Sequence, residues 1–78
     1  MLRKSGDQYL AQLTLLTDNE ITFLKFSSTE MTYKEIAKKM YISPRTIDNY
    51  RDALFDKLDI RSRVGLAMYA IKNGIVSF

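Results

Sequence analysis

The stretch that decides the fold reads Thr32-Tyr33-Lys34-Glu35-Ile36-Ala37-Lys38-Lys39-Met40-Tyr41-Ile42-Ser43-Pro44-Arg45-Thr46-Ile47. Thr32 and Glu35 have the spacing of a capping box, in which a hydroxyl accepts from an early helix amide and a carboxylate reaches back to the cap. Ile36, Ala37 and Met40 follow at helical spacing, so a short helix of about two turns starts here and ends near Tyr41. Ser43-Pro44 supplies a second start: serine at the N-cap and proline at the first helical position, where its missing N–H costs nothing. Ile47, Tyr50 or Arg51, Leu54 and Leu58 then share one face, which predicts a longer helix from Pro44 to about Leu58. Only Tyr41 and Ile42 separate the two helices. A short helix, a tight turn and a longer helix with a hard N-terminal stop are the outline of a helix-turn-helix. Small Ala37 suits a close helix crossing, and Ile42 suits a plug between the turn and the core.

Working outward, Thr17-Asp18-Asn19-Glu20 repeats the capping box, and Ile21, Phe23, Leu24 and Phe26 supply an apolar stripe. That helix is expected to fade at Ser27-Ser28-Thr29, and Phe23, Leu24 and Phe26 to be core. Ser62 opens a fourth helix through Val64, Leu66, Ala67, Met68, Ala70 and Ile71, with Gly74 placed for a left-handed cap. Ile75, Val76 and Phe78 then cover an apolar end. Val64, Ala67, Met68 and Ile71 are expected to fill the inner side of this helix. Gly65, Tyr69 and Lys72 are left outward as a candidate face for self-association. Gly65, about 1 kcal/mol worse than alanine in mid-helix, suggests close approach of another backbone. Before all this, Arg3-Lys4-Ser5-Gly6-Asp7 reads as a loose terminus. Tyr9, Leu10, Leu13, Leu15 and Leu16 fit a short helix or an extended arm equally well. The division is therefore a linker or arm over 1–15 and one domain over 16–78.

The bulk properties agree with one small binding domain. The chain has 78 residues, 46% of them hydrophobic, enough for one core. Cysteine and histidine are both absent, which removes thiolate metal sites, disulfides and the commonest general bases and nucleophiles. No pair of carboxylates suggests a catalytic pocket. Neither enzymatic activity, nor a cofactor, nor a metal is expected. No apolar run approaches the roughly 18 residues of a spanning helix, and no signal-peptide core follows Met1. A cytoplasmic location is expected. Net charge is +3. Between Lys34 and Arg63 stand eight basic and five acidic residues, so the helix-turn-helix region carries the whole excess. That distribution suits a polyanionic partner, double-stranded DNA.

The spaced motifs together resemble the LuxR-type (GerE-like) DNA-binding domain of bacterial response regulators similar to the nitrate-response and nitrogen-fixation regulators. The likeness rests on Leu16-Thr17 with Glu20, Lys34-Glu35-Ile36-Ala37, and Ile42-Ser43-Pro44-Arg45-Thr46-Ile47. It continues in Lys57-Leu58, Arg61-Ser62-Arg63 and Tyr69-Ala70-Ile71-Lys72-Asn73-Gly74, and spans residues 16 to 76 without gaps. It implies an all-α, four-helix (tetrahelical) fold whose third helix enters the major groove and whose fourth forms a homodimer. It also implies a receiver domain in a full-length parent protein. By resemblance, Thr46, Lys57, Arg61 and Arg63 touch phosphates, while Arg45, Asp48, Asn49 and Asp52 face base edges. Lys34, Tyr50, Arg51 and Ser62 complete the phosphate candidates. Helical geometry agrees in part: Arg45, Asn49, Asp52 and Asp56 share the face opposite Ile47, Leu54 and Leu58. The family often has glycine, a basic residue and histidine where this chain has Glu30, Asp48 and Tyr50. Glu30 implies a turn that avoids positive φ or carries mild strain, and the Tyr50 hydroxyl can still donate to a phosphate.

Asp48, Asp52 and Asp56 repel a polyanion, so affinity must come from the basic residues around the helix. Two roles stay open: an aspartate in the groove can accept from a cytosine amino group, or Asp52 and Asp56 pair internally with Arg51 or Lys57. Lys38-Lys39 reads as a solvated helix face, with phosphate contact as the alternative. Arg61-Ser62-Arg63 precedes a helix N-terminus, where anions bind readily, and so favours phosphate contact. Tyr33 and Tyr41 suit rim packing, with a phosphate hydrogen bond from Tyr33 as the other option. Two rival functions remain. A sigma-factor promoter-reading domain shares the Leu-Thr…Glu and Glu-Ile-Ala features, although the fourth helix ending in Asn73-Gly74 favours the regulator. A helix-turn-helix protein-interaction module with little DNA affinity is the other, supported by the acidic face.

Overall fold

Four helices account for the regular structure in the computed structural model, which describes residues 16–77. They are α1 (Asp18–Ser27), α2 (Tyr33–Met40), α3 (Pro44–Leu58) and α4 (Arg63–Lys72), and no strand occurs among the described residues. The expectations for the arm over 1–15 and for Phe78 lie outside them.

Each helix begins where a short polar side chain can occupy an orphan amide. Thr17 Oγ1 accepts from the Glu20 amide at 3.1 Å, and Glu20 Oε1 accepts from the Thr17 amide at 3.0 Å. Thr32 and Glu35 repeat this reciprocal pair at 3.1 and 2.8 Å. Ser43 caps α3 ahead of Pro44, and Ser62 caps α4 through the Gly65 amide at 3.0 Å.

Three of the chain reversals share one chemistry. Tyr41 (φ 57°), Asp59 (φ 55°) and Gly74 (φ 70°) are left-handed, and each is followed by an isoleucine. The amides of Ile42, Ile60 and Ile75 reach back to Ala37, Phe55 and Ala70 oxygens at 3.0, 3.0 and 2.8 Å. The three side chains then pack against the core. This is the Schellman arrangement, in which a left-handed residue frees the next side chain to fold back over the helix end. Gly74 was expected there. Tyr41 and Asp59 were not, because non-glycine residues avoid that region. Glu30 does not have positive φ.

The core comprises Leu16, Phe23, Leu24, Ile36, Ala37, Ile47, Leu54, Leu66 and Ala70. α1 packs on α4 and α2 on α3, with the small Ala37 buried among them. Ile42 packs against this core as expected, and Phe26 is half-buried at its rim.

The orientation of α4 differs from expectation. Leu66 and Ala70 face the core and Tyr69 packs against it, while Val64 and Met68 are 69% and 63% exposed. Apolar residues surround α4 nearly all round, so periodicity alone does not select the inner side. Gly65 also has a different cause. A Cβ there would meet Ile60 Cγ2 at 2.7 Å, so a side chain of this same molecule, not another backbone, fills its place.

Candidate nucleic-acid interface

Burial of Ile47 and Leu54 fixes the roll of α3 and turns Arg45, Asp48, Asn49, Asp52 and Asp56 outward, all exposed. At the N-terminus of α3 the hydroxyls of Ser43 and Thr46 lie 3.0 Å apart, beside early helix amides that have no intrahelical acceptor. A rod with donors at its entry and amide, guanidinium and carboxylate groups along one side can contact both phosphate and base edges.

The surrounding cations divide into two sets. Three are engaged within the fold. Lys57 Nζ donates to Glu20 Oε1 and Oε2 at 2.8 and 3.0 Å. Arg63 donates from Nε to the Ser27 oxygen at 3.1 Å and from Nη2 to the Thr29 oxygen at 2.9 Å. Its guanidinium lies 5.0 Å from the Tyr33 ring centroid, so it both caps the end of α1 and ties α4 to α1. Arg51 contacts Asp48 and Asp52 and lies 5.7 Å from the same ring. By contrast, Lys34, Lys38, Lys39, Arg45 and Arg61 are exposed and form no ion pair among the described residues.

Glu20 is the buried member of its pair, 7% exposed, against 37% for Lys57. Desolvation pushes its carboxyl up. The hydrogen bond and charge of Lys57, with the amide and hydroxyl of Thr17, outweigh that and leave the group below its ordinary value. Glu20 therefore carries two duties at once, capping α1 and anchoring the C-terminal turn of α3. The sequence marked only the first.

The other predicted positions fall as follows. Thr46 and Tyr50 are half-buried, with the Tyr50 ring 6.2 Å from that of Phe23. Ser62 is exposed, and its hydroxyl oxygen is occupied as the α4 cap. Gly65, Tyr69 and Lys72 line an open groove with Leu58, Ile60 and Met68. Tyr33 was expected at the rim; its ring stacks on Phe23 at 5.9 Å and seats both Arg51 and Arg63. No signal in the sequence pairs one aromatic ring with two distant arginines. Among the described residues no cluster of His, Cys, Asp or Glu could hold a metal ion, and no helix is long and apolar enough to cross a membrane.

A four-helix unit with a three-residue turn, Tyr41-Ile42-Ser43, ahead of a helix bearing exposed polar groups is a helix-turn-helix module. Comparison with known proteins narrows the class: residues 14–70 match the profile of bacterial regulatory proteins of the luxR family, GerE. The chain belongs to the luxR family of bacterial regulatory proteins. It is 34% identical over 67 residues to transcriptional regulatory protein LnrK of Bacillus subtilis, covering 86% of this chain and 30% of that protein. It is 36% identical over 62 residues to response regulator GacA of Pseudomonas viridiflava, covering 80% and 29%. Against the DNA-binding transcriptional activator DevR/DosR of Mycobacterium tuberculosis it is 38% identical over 58 residues, covering 74% and 27%. The chain thus spans about 30% of the length of these relatives. No solved structure matches it at comparable significance.

Proposed function

We propose that this chain is the DNA-reading output module of a response regulator, with α3 lying in the major groove. The observation that carries the reading is the exposed face of α3: among the described residues Arg45 and Asn49 make no side-chain hydrogen bond or ion pair, and they stand opposite the buried Ile47 and Leu54. Arg45, Asp48, Asn49 and Asp52 meet base edges. Lys34, Arg61 and the hydroxyls of Thr46, Tyr50 and Ser62 meet phosphates, while Arg63 adds charge from its place in the fold. Arg51 and Lys57 act mainly within the molecule, a division supported by their short contacts to carboxylates.

In the parent protein a receiver domain is the regulatory partner, and the module works as a homodimer through the outer side of α4. Val64, Met68 and Lys72 form that side, with Gly65 and Tyr69 at its border, because an exposed apolar pair one turn apart suits a helix–helix seam. A DNA partner supports a bacterial cytoplasmic location and a binding role in place of a catalytic one.

A gel shift with random duplex DNA tests the reading. Binding should be present at low salt and fall steeply as salt rises. Arg61→Ala should weaken binding on all sequences and reduce the log–log salt slope by about 0.9. Asn49→Ala should change sequence preference instead. Absence of binding at low salt would favour the protein-interaction alternative, for which the three aspartates of α3 speak.

A further inference from the structure

The carboxylates of α3 are arranged in a way that joins the two roles open to them. Arg51 lies on the flank of the helix, its side chain only 28% exposed and its guanidinium 5.7 Å from the Tyr33 ring, which in turn stacks on the buried Phe23. From that seat Nε and Nη2 both approach Oδ1 of Asp52 at 3.1 Å, and Nη1 donates to Oδ1 of Asp48 at 3.2 Å. Each carboxylate is thus held by one oxygen. Among the described residues no hydrogen bond reaches either Oδ2.

The geometry points to Asp52 as a reader of the cytosine amino group, with Arg51 as the positioning residue that aims its free oxygen. This rests on the major-groove placement of α3 proposed above. A carboxylate accepts and cannot donate, so it selects base edges that present an N–H. Only cytosine N4 and adenine N6 do so in the major groove, and adenine sets the N7 acceptor beside its amino group, where a second carboxylate oxygen is repelled. Asp52 therefore favours a C·G pair at its position. Arg51 contributes twice: its charge offsets the repulsion between two aspartates and the DNA, and its hydrogen bonds restrict the Asp52 rotamer before DNA arrives. A guanidinium so occupied holds a carboxylate in place rather than gripping a phosphate.

The test selects bound sequences from a random duplex pool with the 78-residue chain, then compares Asp52→Ala and Arg51→Met, with circular dichroism confirming each fold. Wild type should yield a position dominated by cytosine. Asp52→Ala should lose that preference, with a fall of about 5- to 100-fold on the selected site and unchanged or tighter binding to unrelated DNA. Placing N4-methylcytosine there, which fills the groove-facing amino position while keeping the base pair, should impose the same loss on wild type and none on Asp52→Ala. Arg51→Met should blur the cytosine preference, the readout that a purely structural role would not move. If Arg51→Met unfolds the chain, Arg51→Lys replaces it, with the same blurring expected because a lysine ammonium cannot reproduce the planar, two-donor approach of Nε and Nη2 to Asp52 Oδ1. Retention of the cytosine preference by Asp52→Ala would overturn the assignment of the reader. A reduced salt slope with base preference intact in the Arg51 variant would make Arg51 a phosphate contact and overturn its positioning role. Failure of wild type to bind any duplex appears before variants are compared; it removes the major-groove reading and this inference with it.

Discussion

Replacing Lys57 with methionine keeps most of the stem and deletes the ammonium that neutralises Glu20. Glu20 is buried, and its two oxygens receive hydrogen bonds of 2.8 and 3.0 Å from Nζ. Removing one partner of a fully buried pair costs about 3–5 kcal/mol, because a desolvated charge is left behind. Lys57 is partly solvated and the Thr17 amide still donates to Glu20, so the expected cost is roughly 2 kcal/mol. For a domain of this size about 1 kcal/mol moves Tm by about 4–8 °C, and the variant should melt roughly 8–16 °C lower at pH 7. Thermal unfolding followed by circular dichroism measures this. Glu20→Gln alone should cost less, since the amide oxygen preserves the cap. The double variant should be more stable than the sum of the single losses allows, with a coupling of about 1–2 kcal/mol. A Tm for Lys57→Met within about 2 °C of wild type, or additive losses, would refute the reasoning that this pair pins α1 to the end of α3. A lowered salt slope of DNA binding with unchanged Tm would instead return Lys57 to the phosphates.

The same pair sets an acid limit. The Glu20 pKa is lowered in the folded state, so its stabilisation is complete above the ordinary carboxylate range and is lost as pH falls through the folded value. Glu20→Gln should flatten the acid limb of a Tm-against-pH curve. Gly65→Ala gains about 1 kcal/mol of helix propensity but drives a methyl into the branched side chain of Ile60, 2.7 Å away and stiff about χ1. A net loss of about 1 kcal/mol is expected in urea unfolding, where overpacking costs about 1–3 kcal/mol. Tyr41 is left-handed and 93% exposed, so Tyr41→Asn should raise stability by about 0.5–1 kcal/mol by relieving the backbone at little packing cost. Ser27 buries a hydroxyl that makes no hydrogen bond among the described residues. Ser27→Ala should be neutral or stabilising by up to about 1 kcal/mol in the same assay, whereas a loss would reveal a partner for that oxygen.

Helix starts were legible in the sequence to the residue, because their determinants are local. Thr17 with Glu20, Thr32 with Glu35, Ser43 before Pro44 and Ser62 all act on amides within three positions. The outward face of α3 was equally legible, since a single stripe of Ile47 and Leu54 leaves one choice of roll. The left-handed stops at Tyr41 and Asp59 were not, although the isoleucine after each was in plain view. There the burial of Ile42 and Ile60 outweighs the backbone cost, a contest settled by the core rather than by the turn residue.

The role of each cation belongs to the tertiary structure alone. Lys57 meets Glu20 across 37 positions and Arg63 meets Ser27 across 36. Such partners are joined by how helices pack, and no spacing rule reaches that far. The inner side of α4 was decided in the same way, by the fit of Leu66 and Ala70 against α1 where several apolar arcs competed. The amino-acid order determines by itself where the rods begin and that the third presents its polar face. Packing of those rods decides which charges remain available to a polyanion, because an ammonium or guanidinium already satisfied by a buried acceptor must break that contact before it can grip anything else.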